Sequence, residues 1–321
     1  MARVTAGARL HFGFQNLSLA RPRLYGGVGV ALAEPSVTVA AEPAEEVRAA
    51  DPEAREYAQR AVALLDLPGA AVEVVEALPR HVGLGSGTQL GLATLVAVAR
   101  AHGRAVDPRA LAPDLGRGGR SGVGVAGFEH GGFVVDAGHP TGRFTAAPPA
   151  PGEWTVPPVV ARHDVPEAWR FVVVRPAADP GRNGDGEDAT MRRVVEDADP
   201  AVADEIAGLV THRLLPSIAG GNLDAFGSAV AELGRLNGAW YADEQGGVYR
   251  PPVGTVVEAL AGDPAIDGAG QSSWGPTVYG VTDAERADAA RDAARAALAA
   301  ADVDGEVGVV AARNRGADVE A

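Results

Sequence analysis

The chain has 321 residues, 46% of them hydrophobic and 22% charged, which is enough for two domains or one large one with a sizeable core. Its net charge is −14, it has no cysteine, and every basic residue is an arginine. Disulfides, thiolate metal sites and lysine chemistry are therefore excluded, and nucleic acid and anionic membranes are poor partners for such a surface.

In chain order, Arg3 to Thr5 and Ala8 to Phe14 look like a strand leading into a turn. Tyr25–Leu32 and Ser36–Ala40 follow as two further strands, and the span from Glu45 to Leu65 carries helical spacing through Tyr57, Ala61, Val62 and Leu65. The run Ala71–Val75 is a strand, and a helix is predicted from about Thr88 to Ala101, with Gly103 as its C-cap. A short helix at Asp107–Leu115, a glycine and arginine loop at 116–124 and a strand at Gly132–Asp136 come next. The proline-rich stretch from Pro140 to Pro158 reads as a linker or long loop. It sets the expected division into domains at 1–160 and 161–321.

Trp169–Pro176 opens the second half as a buried strand, and the polar stretch Asp179–Asp188 is expected to be mobile. Helices are predicted at about 189–197, 201–215, 222–238 and 253–261. A second glycine-rich loop, Gly268–Gly280, runs into a strand, followed by a helix over Ala284–Ala300 and a strand over Glu306–Ala312. Helices and strands alternate without a steady βαβ rhythm, so the fold class is α+β. No apolar run reaches the ~18 residues of a membrane span, and strand-like sequence begins at the N-terminus, so the expectation is a cytoplasmic protein. An acidic surface without lysine suits molar salt, as in halophilic proteins; GC-rich coding would produce the same bias.

The segment most telling for function is Pro79–Ala93, which contains Gly83-Leu84-Gly85-Ser86-Gly87-Thr88-Gln89. The glycines let main-chain amides approach a ligand, Ser86 and Thr88 offer hydroxyls, and the helix that opens there turns its positive end toward an anion. The same residues also suit a plain strand-to-helix turn. The Walker lysine and Rossmann spacing are both absent. A phosphate held here would rely on amides, hydroxyls and arginine.

Three stretches carry a resemblance: Arg9-Leu10-His11-Phe12-Gly13, the loop just described, and Gly268-Ala269-Gly270-Gln271-Ser272-Ser273-Trp274-Gly275-Pro276. They resemble the three motifs of the GHMP superfamily of small-molecule kinases. With Gly116-Arg117-Gly118-Gly119-Arg120-Ser121-Gly122 they are more similar to a non-kinase branch, the β-ribofuranosylaminobenzene 5′-phosphate synthase family. The resemblance implies an N-terminal α/β domain with a left-handed βαβ crossover, a C-terminal ferredoxin-like domain and a ligand cleft between them. It further implies a homodimer. The implied reaction condenses 4-aminobenzoate, or a related benzoate, with phosphoribosyl pyrophosphate, releases CO2 and pyrophosphate, and serves methanopterin-type pterin biosynthesis. Gly124 stands where kinases of the superfamily often carry an aspartate, which leaves an ATP-dependent kinase as the alternative, beside a non-catalytic phosphate-binding homologue.

Several residue roles follow from that resemblance and the chemistry. Phosphate is expected on Gly83, Gly85, Ser86, Gly87, Thr88, Gln89 and Ser121. Arg117 and Arg120 clamp a phosphate or carboxylate through planar bidentate pairs. His11 is expected as an acid or hydrogen-bond donor, and Asp136 as a holder of Mg2+ through water, the ion resting mainly on the diphosphate. Tyr25 and Trp274 are candidate walls for the arene. Arg9, Gly26 and Gln245 complete the expected substrate contacts together with Gln271, Ser272 and Ser273. Surface capping, core packing and ordinary turns are the other uses these residue types commonly have.

Overall fold

The computed structural model describes residues 1–144, 150–178 and 185–320. The elements in order are β1 (Ala2–Asn16), β2 (Arg23–Pro43), β3 (Arg48–Ala49), α1 (Pro52–Leu64), β4 (Ala70–Glu76), α2 (Ser86–Ala101), α3 (Pro108–Leu111), α4 (Val123–His130), β5 (Phe133–Asp136), β6 (His139–Pro140) and β7 (Val159–His163). They continue with β8 (Trp169–Pro176), α5 (Asp185–Asp197), α6 (Pro200–Leu209), α7 (Leu215–Ala219), α8 (Leu223–Gln245), α9 (Val253–Ala261), β9 (Gly268–Gln271), β10 (Val278–Asp283), α10 (Ala287–Ala300), β11 (Gly305–Val310) and β12 (Asp318–Glu320). The stretch expected to be mobile, 179–188, lies in part outside the described residues, as does 145–149 within the proline-rich segment; from Asp185 the backbone is helical.

Two sheets organise the chain. The first has eight strands in the order β12-β1-β2-β4-β3, with β5 and β6 on β2 and β7 on β5. Its spine is a long antiparallel pair: β1 and β2 stay in register from Ala2↔Ala41 to Asn16↔Tyr25 with two irregular steps. The two strands expected on either side of Pro35 are thus one 21-residue strand. The second sheet runs β11-β8-β10-β9. Counted within its own unit that is fourth, first, third, second, with helices in the first and last connections: the ferredoxin-like arrangement. The expected division at 160/161 falls inside β7, and β12 returns to the first sheet beside β1.

Local sequence explains the elements nearest the cleft. Asp51 caps α1 by accepting from the Ala54 amide at 2.9 Å, Pro52 sits in the first turn, and Ala54, Tyr57, Ala58 and Ala61 form its buried stripe. The helix α2 is buried nearly all round from Gln89 to Ala99, which suits its run of Leu, Val and Ala between sheet and helices. Its start requires Gly85, whose φ of 79° is left-handed. Asn237, buried on α8, clips the backbone of β1: its Oδ1 accepts from the Phe14 amide at 2.7 Å and its Nδ2 donates to the Phe14 carbonyl at 3.0 Å. That clip sets Phe14 and its neighbours at the junction of the two sheets. Among the described residues, no helix is long and apolar enough to cross a membrane.

Candidate active site

The three sequence motifs meet at one point. Ser272 is fully buried; its Oγ donates to the Gly83 carbonyl at 2.7 Å and accepts from the His11 amide at 3.1 Å. The Ser273 amide donates to the His11 carbonyl at 3.2 Å, and the Thr277 amide to the Val82 carbonyl at 3.2 Å. Arg9 approaches from β1, its amide donating to the Leu84 carbonyl at 3.0 Å and its Nη1 to the Gly83 carbonyl at 2.7 Å. A Cβ on Gly275 would lie 2.1 Å from the Val82 backbone, and one on Gly83 2.2 Å from the Ser272 carbonyl oxygen. These two glycines permit close packing of chain on chain. They do not themselves present a bare amide to a ligand.

Beside this junction opens a cleft of about 1210 Å³. Thr88, the 116–121 loop and Ser273 with Trp274 line it together, so the phosphate loop, the arginine loop and the third motif share one cavity. Five arginines reach its wall, Arg9, Arg117, Arg120, Arg143 and Arg192, against a single carboxylate, Glu153, among the described residues. In a chain of net charge −14, this concentration gives the cleft a positive lining that contrasts with the rest of the molecule. Arg117 lies directly on the first turn of α2: a Cβ on Gly87 would come within 2.9 Å of its Nη2. Its guanidinium also sits 5.3 Å above the Tyr57 ring and 3.7 Å from Glu53. Helix start and guanidinium therefore add their positive fields at the same spot. The aromatic side of the cleft comprises Phe14, Tyr25, Phe144, Trp154 and Trp274, with Trp274 packed at 4.4 Å between ring centroids on Tyr241. Tyr25 and Ser273 both hold left-handed backbone, φ 70° and 56°, a strain that residues with side chains carry where a site demands it.

Residues 52–132 match the family described as GHMP kinases N terminal domain. Over 98% of its length the chain is 33% identical to the β-ribofuranosylphenol 5′-phosphate synthase of Methanothermobacter thermautotrophicus, covering 97% of that protein. The protein of the same name from Archaeoglobus fulgidus is 34% identical, with both chains fully covered. The chain belongs to the β-ribofuranosylphenol 5′-phosphate synthase family. Its fold is also that of the homoserine kinase from Cytophaga hutchinsonii, with a TM-score of 0.66, 19% identity, and 99% of this chain and 97% of that one covered.

Within this synthase-family chain, several residues expected at the ligand have other work. His11 is buried and edge-on to Phe14 at 4.9 Å; burial and the nearby Arg9 charge push its imidazole down to about 3. That shift favours the neutral imidazole, so of the two expected roles, acid or hydrogen-bond donor, its burial suits the second. Its Nε2 has no partner and lies on the cleft wall. Asp136 is fully buried, accepting from the Gly122 amide at 2.7 Å, the Gly138 amide at 2.8 Å and the Ser121 hydroxyl at 3.1 Å. Burial pushes it up to about 6 in spite of those bonds. Its oxygens fix the Ser121 loop, and Gly26 and Gly27 pack closely against Asp136 and its neighbours.

Ser272 is a brace between motifs, as described. Gln89 is buried and donates to the Gly124 carbonyl at 2.9 Å, tying α2 to α4. Gln245 and Gln271 line a much smaller cavity of about 40 Å³ against α8, which shares His11, Phe14, Ser273 and Trp274 with the cleft. Gln245 donates to the Val248 carbonyl at 2.7 Å, and Gln271 to the Ser273 carbonyl at 3.2 Å. Thr88, Arg9, Arg117, Arg120, Ser121, Tyr25, Ser273 and Trp274 do reach the cleft. Gly85, Ser86 and Gly87 form the adjoining helix start, where the first amides have no acceptor in their own helix.

Sequence reasoning missed His139, Arg143, Phe144 and Trp154, all on the cleft wall. They lie in or beside the proline-rich stretch read as a linker. Trp154 donates from Nε1 to the Arg117 carbonyl at 2.9 Å, so this segment folds back over the arginine loop. A tryptophan among prolines and glycines was the available signal; a lone histidine offers none.

Proposed function

We propose that the protein is a decarboxylating pentosyltransferase, an enzyme that joins a 4-substituted benzoate to phosphoribosyl pyrophosphate. The product named for its relatives is a ribofuranosylphenol phosphate, which favours 4-hydroxybenzoate over 4-aminobenzoate as acceptor. The observation that carries the reading is the arginine-lined cleft beside the α2 start, with an aromatic wall opposite to the charged one in character. In the reaction, the ring carbon bearing the carboxylate attacks C1 of the ribose. The bond from C1 to the diphosphate oxygen breaks and the diphosphate keeps the electron pair. The carboxylate then leaves as CO2 and returns its electron pair to the ring.

The chain's residues supply what such a reaction needs. Arg117, Arg9 and the first amides of α2 stabilise negative charge growing on the diphosphate. Tyr25, Phe14 and Trp274 hold the ring in line with the sugar. The described residues contain no cluster of three histidines or carboxylates able to hold a metal, and Asp136 is committed to amides. Mg2+ thus enters this proposal as a companion of the donor's diphosphate, since the donor set among the described residues does not fit a resident ion. The role of the pathway, a methanopterin-type pterin, belongs to the same proposal.

The kinase alternative loses ground at Gly124. Glycine there has no carboxylate to orient a substrate hydroxyl, and a Cβ at this position would meet the Thr88 methyl at 3.2 Å, a tight contact. The deciding experiment incubates the purified protein in high salt with phosphoribosyl pyrophosphate, Mg2+ and carboxyl-labelled 4-hydroxybenzoate. Labelled CO2 appears in step with pyrophosphate. A folded protein that releases label from neither 4-hydroxybenzoate nor 4-aminobenzoate overturns the reading.

A further inference from the structure

His139 is buried, yet its Nε2 has no hydrogen-bond partner and the residue lines the cleft. An orphaned buried nitrogen at a cavity wall is unfavourable unless a ligand or ordered solvent completes it. Its surroundings are built for an anion. Arg23 from β2 and Arg143 from the turn after β6 both act on its ring, and the carbonyls of Gly119 and Gly118 face it. Tyr25 meets it edge-on at 6.4 Å, and Arg120 acts on Tyr25 in turn. Arg192 of α5, His11, Glu153, Arg9 and Arg117 are the other ionisable groups lining the same cleft among the described residues.

We propose that His139, with Arg143 and Arg120, forms a second anion subsite that takes the 5′-phosphate of the ribosyl donor, distinct from the diphosphate subsite at Arg117 and α2. The inference rests on the transferase reading above. Donor chemistry requires two such subsites, since its monoester and diphosphate lie on different carbons of the ribose. The protonation logic agrees. Burial, and with it the Arg143 and Arg23 charges, pushes the imidazole below its ordinary value against the pull of the Gly119 and Gly118 carbonyls. A phosphate dianion supplies the missing countercharge, and the glycine carbonyls are already placed to favour the second N–H. Binding therefore draws a proton onto His139, with Nε2 donating to a phosphate oxygen.

The test uses the full chain with two probes, ribose 5-phosphate and inorganic pyrophosphate, titrated calorimetrically at pH 6 and pH 8. His139→Gln and Arg143→Met each weaken ribose 5-phosphate by about tenfold or more, the scale of one charge-assisted hydrogen bond, and leave pyrophosphate binding unchanged. Wild-type affinity for ribose 5-phosphate falls from pH 6 to pH 8, and the His139 imidazole nitrogens move to imidazolium shifts in 15N NMR when that ligand is added. Unchanged ribose 5-phosphate affinity in both variants, or an imidazole that stays neutral when saturated, overturns the subsite while leaving pyrophosphate binding and the transferase intact. Equal loss of both probes overturns the separation into two subsites. If wild type binds neither probe, the transferase reading fails with it.

Discussion

Replacing Asp136 with asparagine separates the cost of a buried charge from the value of its hydrogen bonds. In the folded chain the carboxyl titrates at about 6, against 3.8 for an ordinary aspartate, because burial outweighs the donors from Gly138, Gly122, Ser121 and Gly27. Between those two values the folded state keeps a proton that the unfolded state gives up. The stabilisation is full below the lower value and is lost as pH rises through about 6. About two units correspond to roughly 3 kcal/mol. Asparagine keeps one acceptor oxygen and puts an uncharged NH2 donor group where the protonated carboxyl has its O–H, so Asp136→Asn approximates the low-pH wild type and does not titrate. Urea unfolding of both proteins at pH 4 and pH 7, in the same salt, gives the comparison. Because pH 4 already lies just above 3.8, the stability of the variant relative to wild type rises by roughly 2 kcal/mol from pH 4 to pH 7, most of the full value. A difference that stays constant across that range refutes the claim that Asp136 is a strained, loop-holding carboxyl.

Further outcomes follow from the same contacts. Arg117→Met weakens pyrophosphate, measured by calorimetry, by about tenfold to a hundredfold through the lost bidentate charge, with acceptor affinity retained. Asn237→Ala leaves the Phe14 amide and carbonyl without partners and lowers the unfolding free energy in urea by about 2–4 kcal/mol. Ser272→Ala lowers stability by about 1–2 kcal/mol yet leaves the KM for the acceptor unchanged, which a ligand-contacting serine would not do. Gly124→Asp yields no ATP consumption with small alcohols, and its thermal midpoint falls because the new side chain presses on Thr88.

The family, the α+β class and the meeting of three motifs were legible because glycines and a GQSSWGP run survive as local patterns. The roles inside the motifs were less so. Ser272 and Gln271 read as ligand donors by residue type, whereas packing assigns one to the Gly83 carbonyl and the other to a second small cavity. Nothing in a linear pattern says which way a polar side chain turns when both a backbone and a cleft lie within reach. The helix α4 was hidden by Gly124 and Gly127, poor helix formers that are tolerated here because neighbours pack close against them. The strand β2 was broken in the reading by Pro35, although its partners on either side keep it continuous. The cleft-lining residues His139, Arg143, Phe144 and Trp154 were discounted because proline-rich composition suggests a spacer, and long-range contacts such as Trp154 to the Arg117 carbonyl leave no periodic trace.

The return of the chain to its first sheet constrains how the halves can move. The backbone passes from one sheet to the other at 164–168 and comes back at 311–317, where the Arg313 amide donates to the Ala31 carbonyl at 2.9 Å and β12 joins β1. Two tethers at separate places oppose a wide jaw-like opening and favour sliding of the halves past one another. The Ser272 junction sits between those tethers, so a shift of one half against the other is felt first at its bonds to the Gly83 carbonyl and the His11 amide.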